Sequence, residues 1–363
     1  MDQGLSDNVH PLVMQLNEAL SLETKFQANL QLPSTTQAST EITTGIRGVS
    51  AHVLRCLKVW YDLPSEVLFV AINLMDRFLT KMKARPKYMA CIAVSSFHLA
   101  CKEVMQHRQK VECDSDWIVP DSRDLVTISQ CKCTLGDLAR MEDIISCKLG
   151  AEPNVLPITP LTFLQLFHEL FSAAAKSLGL LSFYKSIVDE STMWLCLEII
   201  ACDGSCANFR ACEVALVLLC TQLEGGVSKL TSKSHHSSGS SASAEVMQLI
   251  GFAMELQKIC KISESSFFCC HDAVFSILAH YNAECQMPYR QRLVWKLSHR
   301  TLRYLRPTDK LTSLLPTIDE LRQLQTPSRV RFGSVSSNES WESEKEEKFS
   351  RDWDAEEVIS LQE

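Results

Sequence analysis

Glycine and proline are scarce, 12 of each in 363 residues. Stretches that alternate polar with β-branched residues are almost absent. Sandwiches and barrels need both, so the composition points to an all-α chain. No Gly-rich phosphate loop, GxSxG or HExxH is present, and no nucleophile–base–orienter set can be assembled. An enzyme is therefore not expected. The most apolar helix, Tyr88 to Cys101, is too short and too interrupted to cross a bilayer. The opening residues, MDQGLSDNVH, are polar and acidic and do not resemble a secretory signal. Excess positive charge is missing too. The net charge is −7, and residues 338–363 alone, with ten acidic and three basic side chains, carry −7. The remaining body is close to neutral, which argues against a dedicated nucleic-acid binder.

What the chain does have is length for two domains plus tails, 46% hydrophobic content and 16 cysteines. Most of the cysteines, such as Cys56, Cys91, Cys101, Cys220 and Cys260, fall inside apolar helical patterns. They read as small hydrophobes in a reducing compartment. Cys131/Cys133, Cys202/Cys206 and Cys269/Cys270 with His271 cluster, but none has paired CxxC spacing. No metal or other cofactor is expected.

The organising stretch is 65–104. Its first helix buries Val67, Val70, Ala71, Leu74, Met75, Phe78 and Leu79 at helical spacing. Asp76 sits inside that apolar face, where an unpaired carboxylate is costly. The upstream candidate for its cation is Arg47. The helix after Pro86 is apolar nearly all round and should be central.

Around it the pattern predicts helices over 46–60, 65–81, 87–105, 122–130 and 135–149. A second set of five follows over 160–174, 178–202, 208–223, 245–260 and 263–282. Pro64, Pro86 and Pro120 fall at helix starts, and Pro153, Pro157 and Pro160 mark a boundary. The implied domains are an N-terminal helix (Val9 to Phe26) and linker over 1–44, two bundles over 45–150 and 151–285, a basic segment over 286–325 and an acidic tail over 326–363. The Ser-rich stretch 226–244 reads as a disordered loop, as does the tail.

Asn73-Leu-Met-Asp76-Arg-Phe-Leu79 resembles the NxxDRFL signature of cyclin boxes. The family's upstream arginine, which pairs with this aspartate, falls without a gap on Arg47. Thr127 to Ile145, Met82 to Lys87, Arg292 to Thr301 and Leu315 to Ile318 resemble the G-type cyclins in particular, and the likeness runs over roughly residues 10–322. The resemblance implies tandem five-helix cyclin boxes. It also implies that Lys102, ending the third helix, and Glu142, in Arg140-Met-Glu142, form a charged pair that docks a cyclin-dependent kinase. The substrate-docking patch of cyclins maps onto Ile46, Val49, Ser50 and Val53. Serine and valine stand there in place of leucine and tryptophan, so that patch is expected to be degenerate.

Leu315, Ile318 and Glu320 fit LxxIxE, the short motif that docks into B-prime regulatory subunits of protein phosphatase 2A. Pro316 keeps the segment extended. The basic stretch 288–306, with Leu293, Leu297, Leu302 and Leu305 on one side, reads either as a surface helix or as a nuclear-import or partner patch. Ser337, Ser340 and Ser343 are candidate acidophilic kinase sites. The expected function is a non-catalytic cell-cycle regulator of nucleus and cytoplasm. The alternative is a tandem-box transcription factor of the TFIIB type that binds nucleic acid.

Overall fold

The computed structural model describes residues 3–34, 41–110, 117–150, 155–233 and 239–284. All regular structure among them is helical. The chain opens with α1 (Gln3–Phe26). The first bundle follows: α2 (Thr44–Trp60), α3 (Ser65–Lys81), α4 (Met89–Lys110), α5 (Ser122–Ser129) and α6 (Leu135–Leu149). The second comprises α7 (Pro160–Ser177), α8 (Leu181–Ile187), α9 (Glu190–Cys202), α10 (Ala211–Lys233), α11 (Gly239–Ile259) and α12 (Glu264–Glu284).

Local chemistry explains the boundaries. Thr43 caps α2 by accepting from the Ile46 amide. At α6, Thr134 and Asp137 form a reciprocal capping box, each side chain taking the other's backbone N–H. Gly150 ends α6 in the left-handed conformation at φ 61°. On α3, Val67, Val70, Ala71, Leu74, Met75 and Phe78 are buried. They pack against α4, which is buried on nearly every side over its first four turns. The expected central helix is therefore α4.

Each bundle has its own apolar core. The N-terminal helix α1 joins the second core rather than the first, through Leu16 and Ala19. Residues 27–30 follow it as a strap. That strap is held to the second bundle by Asn208, which accepts from the Leu30 amide and donates to the Leu30 carbonyl, both at 2.7 Å. A chain end that crosses to the far bundle before building the near one locks the two together.

Several elements differ from the sequence expectation: α1 already begins at Gln3 rather than Val9, and α7 runs on to Ser177. α4 runs on to Lys110, because Val104 stays buried and a terminal cluster of His107, Arg108 and Lys110 suits the negative end of the helix dipole. The helix expected over 178–202 is two, α8 and α9. Val188 is extended, and Asp189 starts a new N-terminus by accepting from the Thr192 amide at 3.0 Å. The segment 208–223 opens later, at Ala211, and runs longer. The loop expected over 226–244 is largely helical: α10 continues to Lys233 and α11 begins at Gly239, leaving 234–238 outside the described residues. Its described parts are serine-rich and hold Gly226 and Gly239, but they contain no proline, so no residue there removes a helical N–H.

Residues 285–363 lie outside the described residues. With them lie the basic segment 288–306, the Leu315/Ile318/Glu320 motif, the tail serines and the acidic tail. Among the described residues no helix is long and apolar enough to cross a membrane.

Candidate functional site: an ion-paired rim on the first bundle

The site is built from α2, α3, α4 and α6, and its foundation is one buried arginine. Arg47 is 1% exposed. Its Nε donates to Asp76 Oδ1 at 2.9 Å and a terminal nitrogen donates to Oδ2 at 2.5 Å, a bidentate pair. The other terminal nitrogen donates to the carbonyl of Ala201, on α9, at 2.7 Å. Burial would lower the Arg47 pKa, but Asp76 outweighs it and the net shift is upward. The guanidinium thus ties α2 to α3 and both to the second bundle.

The rest of the Asn73–Leu79 motif anchors α1. The Asn73 amide donates at 2.8 Å to the carbonyl of Phe26, the last residue of that helix. Arg77 lies 5.0 Å from the Phe26 ring centroid.

Lys102 does not end α4, which runs eight residues further to Lys110, but the structure brings it together with Glu142 of α6. The Lys102 ammonium donates to Glu142 Oε2 at 2.6 Å. A third group, not singled out from the sequence, completes the set: His98 Nδ1 lies 2.6 Å from Glu142 Oε1. His98 precedes Lys102 by one helical turn, so both project from the same face of α4. The Lys102 side chain is 42% exposed, against 10% for Glu142 and 6% for His98. Burial pushes the Glu142 carboxyl up, but hydrogen bonds from His98 and Lys102 more than offset this and hold it below the usual range. The result is a fixed carboxylate with an accessible ammonium above it. That arrangement suits recognition of charged groups on another protein.

Ile46, Val49, Ser50 and Val53 line a single surface groove of about 530 Å³, together with Met89, Ala93 and neighbours from α4. No residue lining it is aromatic. The Ser50 hydroxyl donates back to the Ile46 carbonyl at 2.9 Å. Val49, 65% exposed, is its most prominent apolar side chain.

All fourteen described cysteines are free thiols. Burial pushes several of these thiols up, Cys202 and Cys220 both to about 12. Among the described residues no group of three or more His, Cys, Asp or Glu is arranged to hold a metal ion.

Residues 17–152 match the model of the cyclin N-terminal domain, the same stretch that carries both ion pairs. The chain is 32% identical to human Cyclin-G2 over 84% of its own length and 80% of that protein. The chain is a member of the G-type cyclin family. Drosophila Cyclin G is 40% identical over 98% of the chain, which spans 59% of that longer protein. Human Cyclin-G1 is 27% identical over 85% of the chain and 95% of its own length. The family is one of cyclin-type regulators of the cell cycle.

Two further networks in this G-type cyclin were missed from the sequence. Glu198 on α9, 3% exposed, accepts from Arg55 at 3.2 Å, from Lys58 at 2.6 Å and from Ser65 at 2.6 Å. Burial pushes its carboxyl up, and Lys58, Ser65 and Arg55 together bring it below the usual range. Glu23 on α1 accepts from Arg210 and from the Cys212 amide at 2.8 Å. The signal available at Glu198 was an isolated carboxylate inside an apolar helical stretch, as at Asp76; Glu23, beside Thr24 and Lys25, offered none. The partners are 143 and 187 residues away and carry no spacing signature.

Proposed function

We propose that this G-type cyclin is a non-catalytic adaptor acting in nucleus and cytoplasm: it binds a cyclin-dependent kinase through Lys102 and Glu142 and recruits protein phosphatase 2A through Leu315, Ile318 and Glu320. The observation that carries the kinase half is the 2.6 Å Lys102–Glu142 pair, with its lysine exposed and its glutamate held from beneath. A kinase lobe needs its internal Lys–Glu ion pair formed to position the ATP phosphates. A partner that binds only that arrangement favours it by its differential affinity. The cyclin itself does no chemistry in this scheme.

The phosphatase half is supported by sequence: two apolar anchors and a carboxylate at fixed spacing, with Pro316 keeping the segment extended. The apolar groove at Ile46, Val49, Ser50 and Val53 lacks an aromatic wall, which argues against strong substrate recruitment there.

Purified chain mixed with a cyclin-dependent kinase should form a complex. Lys102→Ala with Glu142→Ala should weaken it at least tenfold in a calorimetric titration, since truncating a desolvated interfacial charge pair costs about 2–5 kcal/mol. An undiminished affinity would remove the kinase half. Leu315→Ala with Ile318→Ala should abolish capture of a B-prime subunit in a pull-down; persistent capture would remove the phosphatase half. The nucleic-acid alternative depends on the basic stretch 288–306, and a duplex-DNA titration at low salt that shows no binding would dismiss it.

A further inference from the structure

The Lys102–Glu142 pair has a buried third member. His98 Nδ1 sits 2.6 Å from Glu142 Oε1, while the Lys102 ammonium takes Oε2 at the same distance. We infer that His98 is the positioning residue of this docking surface: it clamps the inner oxygen of Glu142 so that the carboxylate is already set, with Oε2 beneath Lys102, before a partner arrives. The inference rests on the proposed role of the pair.

Three observations carry it. The first is the gradient of exposure, from 6% at His98 through 10% at Glu142 to 42% at Lys102. A half-exposed lysine on a flexible stem holds a carboxylate weakly and competes with water for it. A ring with two rotatable bonds, enclosed by α4 and α6, has no such freedom.

The second is the division of labour between the oxygens. Each carboxylate oxygen has one short partner, from residues four apart on one helix face. A rotation of the carboxylate toward solvent would break the inner bond and leave a buried ring nitrogen without its partner, which is costly.

The third is the charge state. The hydrogen bond from His98 is the first contribution that offsets burial at Glu142, ahead of Lys102. With the carboxylate ionised, His98 Nδ1 must carry a proton and donate it.

The consequence concerns order rather than contact. His98 is too buried to touch a docked protein, yet without it Glu142 must be ordered at the moment of binding. Immobilising one such side chain weakens binding by about three- to tenfold.

The test uses the full chain and whichever cyclin-dependent kinase the unmodified chain binds most tightly. Dissociation constants are measured for wild type, His98→Leu, His98→Asn and Lys102→Ala, with melting temperatures alongside. His98→Leu keeps the volume and removes the donor, and is expected to bind about three- to tenfold more weakly. His98→Asn places an amide donor near the Nδ1 position and is expected to return affinity to within about twofold of wild type.

If His98→Leu binds like wild type while Lys102→Ala does not, the clamp is overturned and the docking surface stands. If Lys102→Ala also binds like wild type, the reading of the pair itself fails. If His98→Leu melts early or does not fold, His98→Asn decides: recovered affinity supports the clamp, and a loss of threefold or more at a normal melting temperature overturns it.

Discussion

Asp76→Asn should be among the most damaging single changes in the first bundle. It takes the paired carboxylate away from the buried Arg47 guanidinium, which keeps its bond to the Ala201 carbonyl at 2.7 Å and the field of Asp203. Removing one member of a buried ion pair costs about 3–5 kcal/mol. Urea denaturation should show a loss of that size, and a loss below about 1 kcal/mol would mean that the pair does not hold α2 to α3. The need for a cation was legible because a carboxylate stood inside an apolar helical face. The third bond of Arg47 was not, since a backbone carbonyl 154 residues away has no residue type to read. His98 was half legible: its spacing from Lys102 is a helical turn, but histidine on an apolar helix gives no hint of which carboxylate it will meet.

Among the elements, the short 3-10 turn Gly204–Cys206 after α9 shows how closely the bundles approach. A Cβ on Gly204 would lie 2.8 Å from the carbonyl oxygen of Thr44, at the start of α2. That neighbour is backbone in a capped helix terminus, so it cannot swing aside. Gly204→Ala should force the bundles apart and lower stability by about 1–3 kcal/mol, read as a drop in melting temperature; a melting temperature equal to wild type would show that the approach is loose. Some helix bounds were read well from proline and apolar spacing: α3 and α6 begin and end where the pattern places them. The break between α8 and α9 was missed because Asp189 reads as one more polar residue until its side chain is seen to cap. The helical ends of the Ser-rich segment were missed because serine and glycine were read as loop formers, whereas each costs a helix only a fraction of what a proline does.

Across the molecule, the two bundles are joined by buried charge as well as by apolar contact, and that makes their union acid-sensitive. Glu198 bridges α9 to Arg55, Lys58 and Ser65 across the boundary. Its pKa is lowered in the folded chain from an ordinary value of 4.5. A carboxyl lowered on folding contributes stability that is full above the unfolded value and is lost as pH falls below it. Glu198→Gln should therefore cost about 3 kcal/mol at pH 7. The gap between variant and wild type should close as the pH is taken below about 4.5, followed by denaturant midpoints at each pH. A gap that stays constant from pH 7 down to pH 3.5 would show that folding does not lower the Glu198 pKa.

The amphipathic periods, the helix starts and the Asn73–Leu79 motif determined the all-α class, the two bundles and the family, because each of these is written in residues near one another along the chain. The pairing of Lys102 with Glu142 could be inferred only through the family pattern, and the addition of His98 not at all. Which core α1 joins, what the third bond of Arg47 is and how Glu198 is neutralised were decided when distant segments came together. Burial is what gives those contacts their energy, and burial does not exist until the chain has folded.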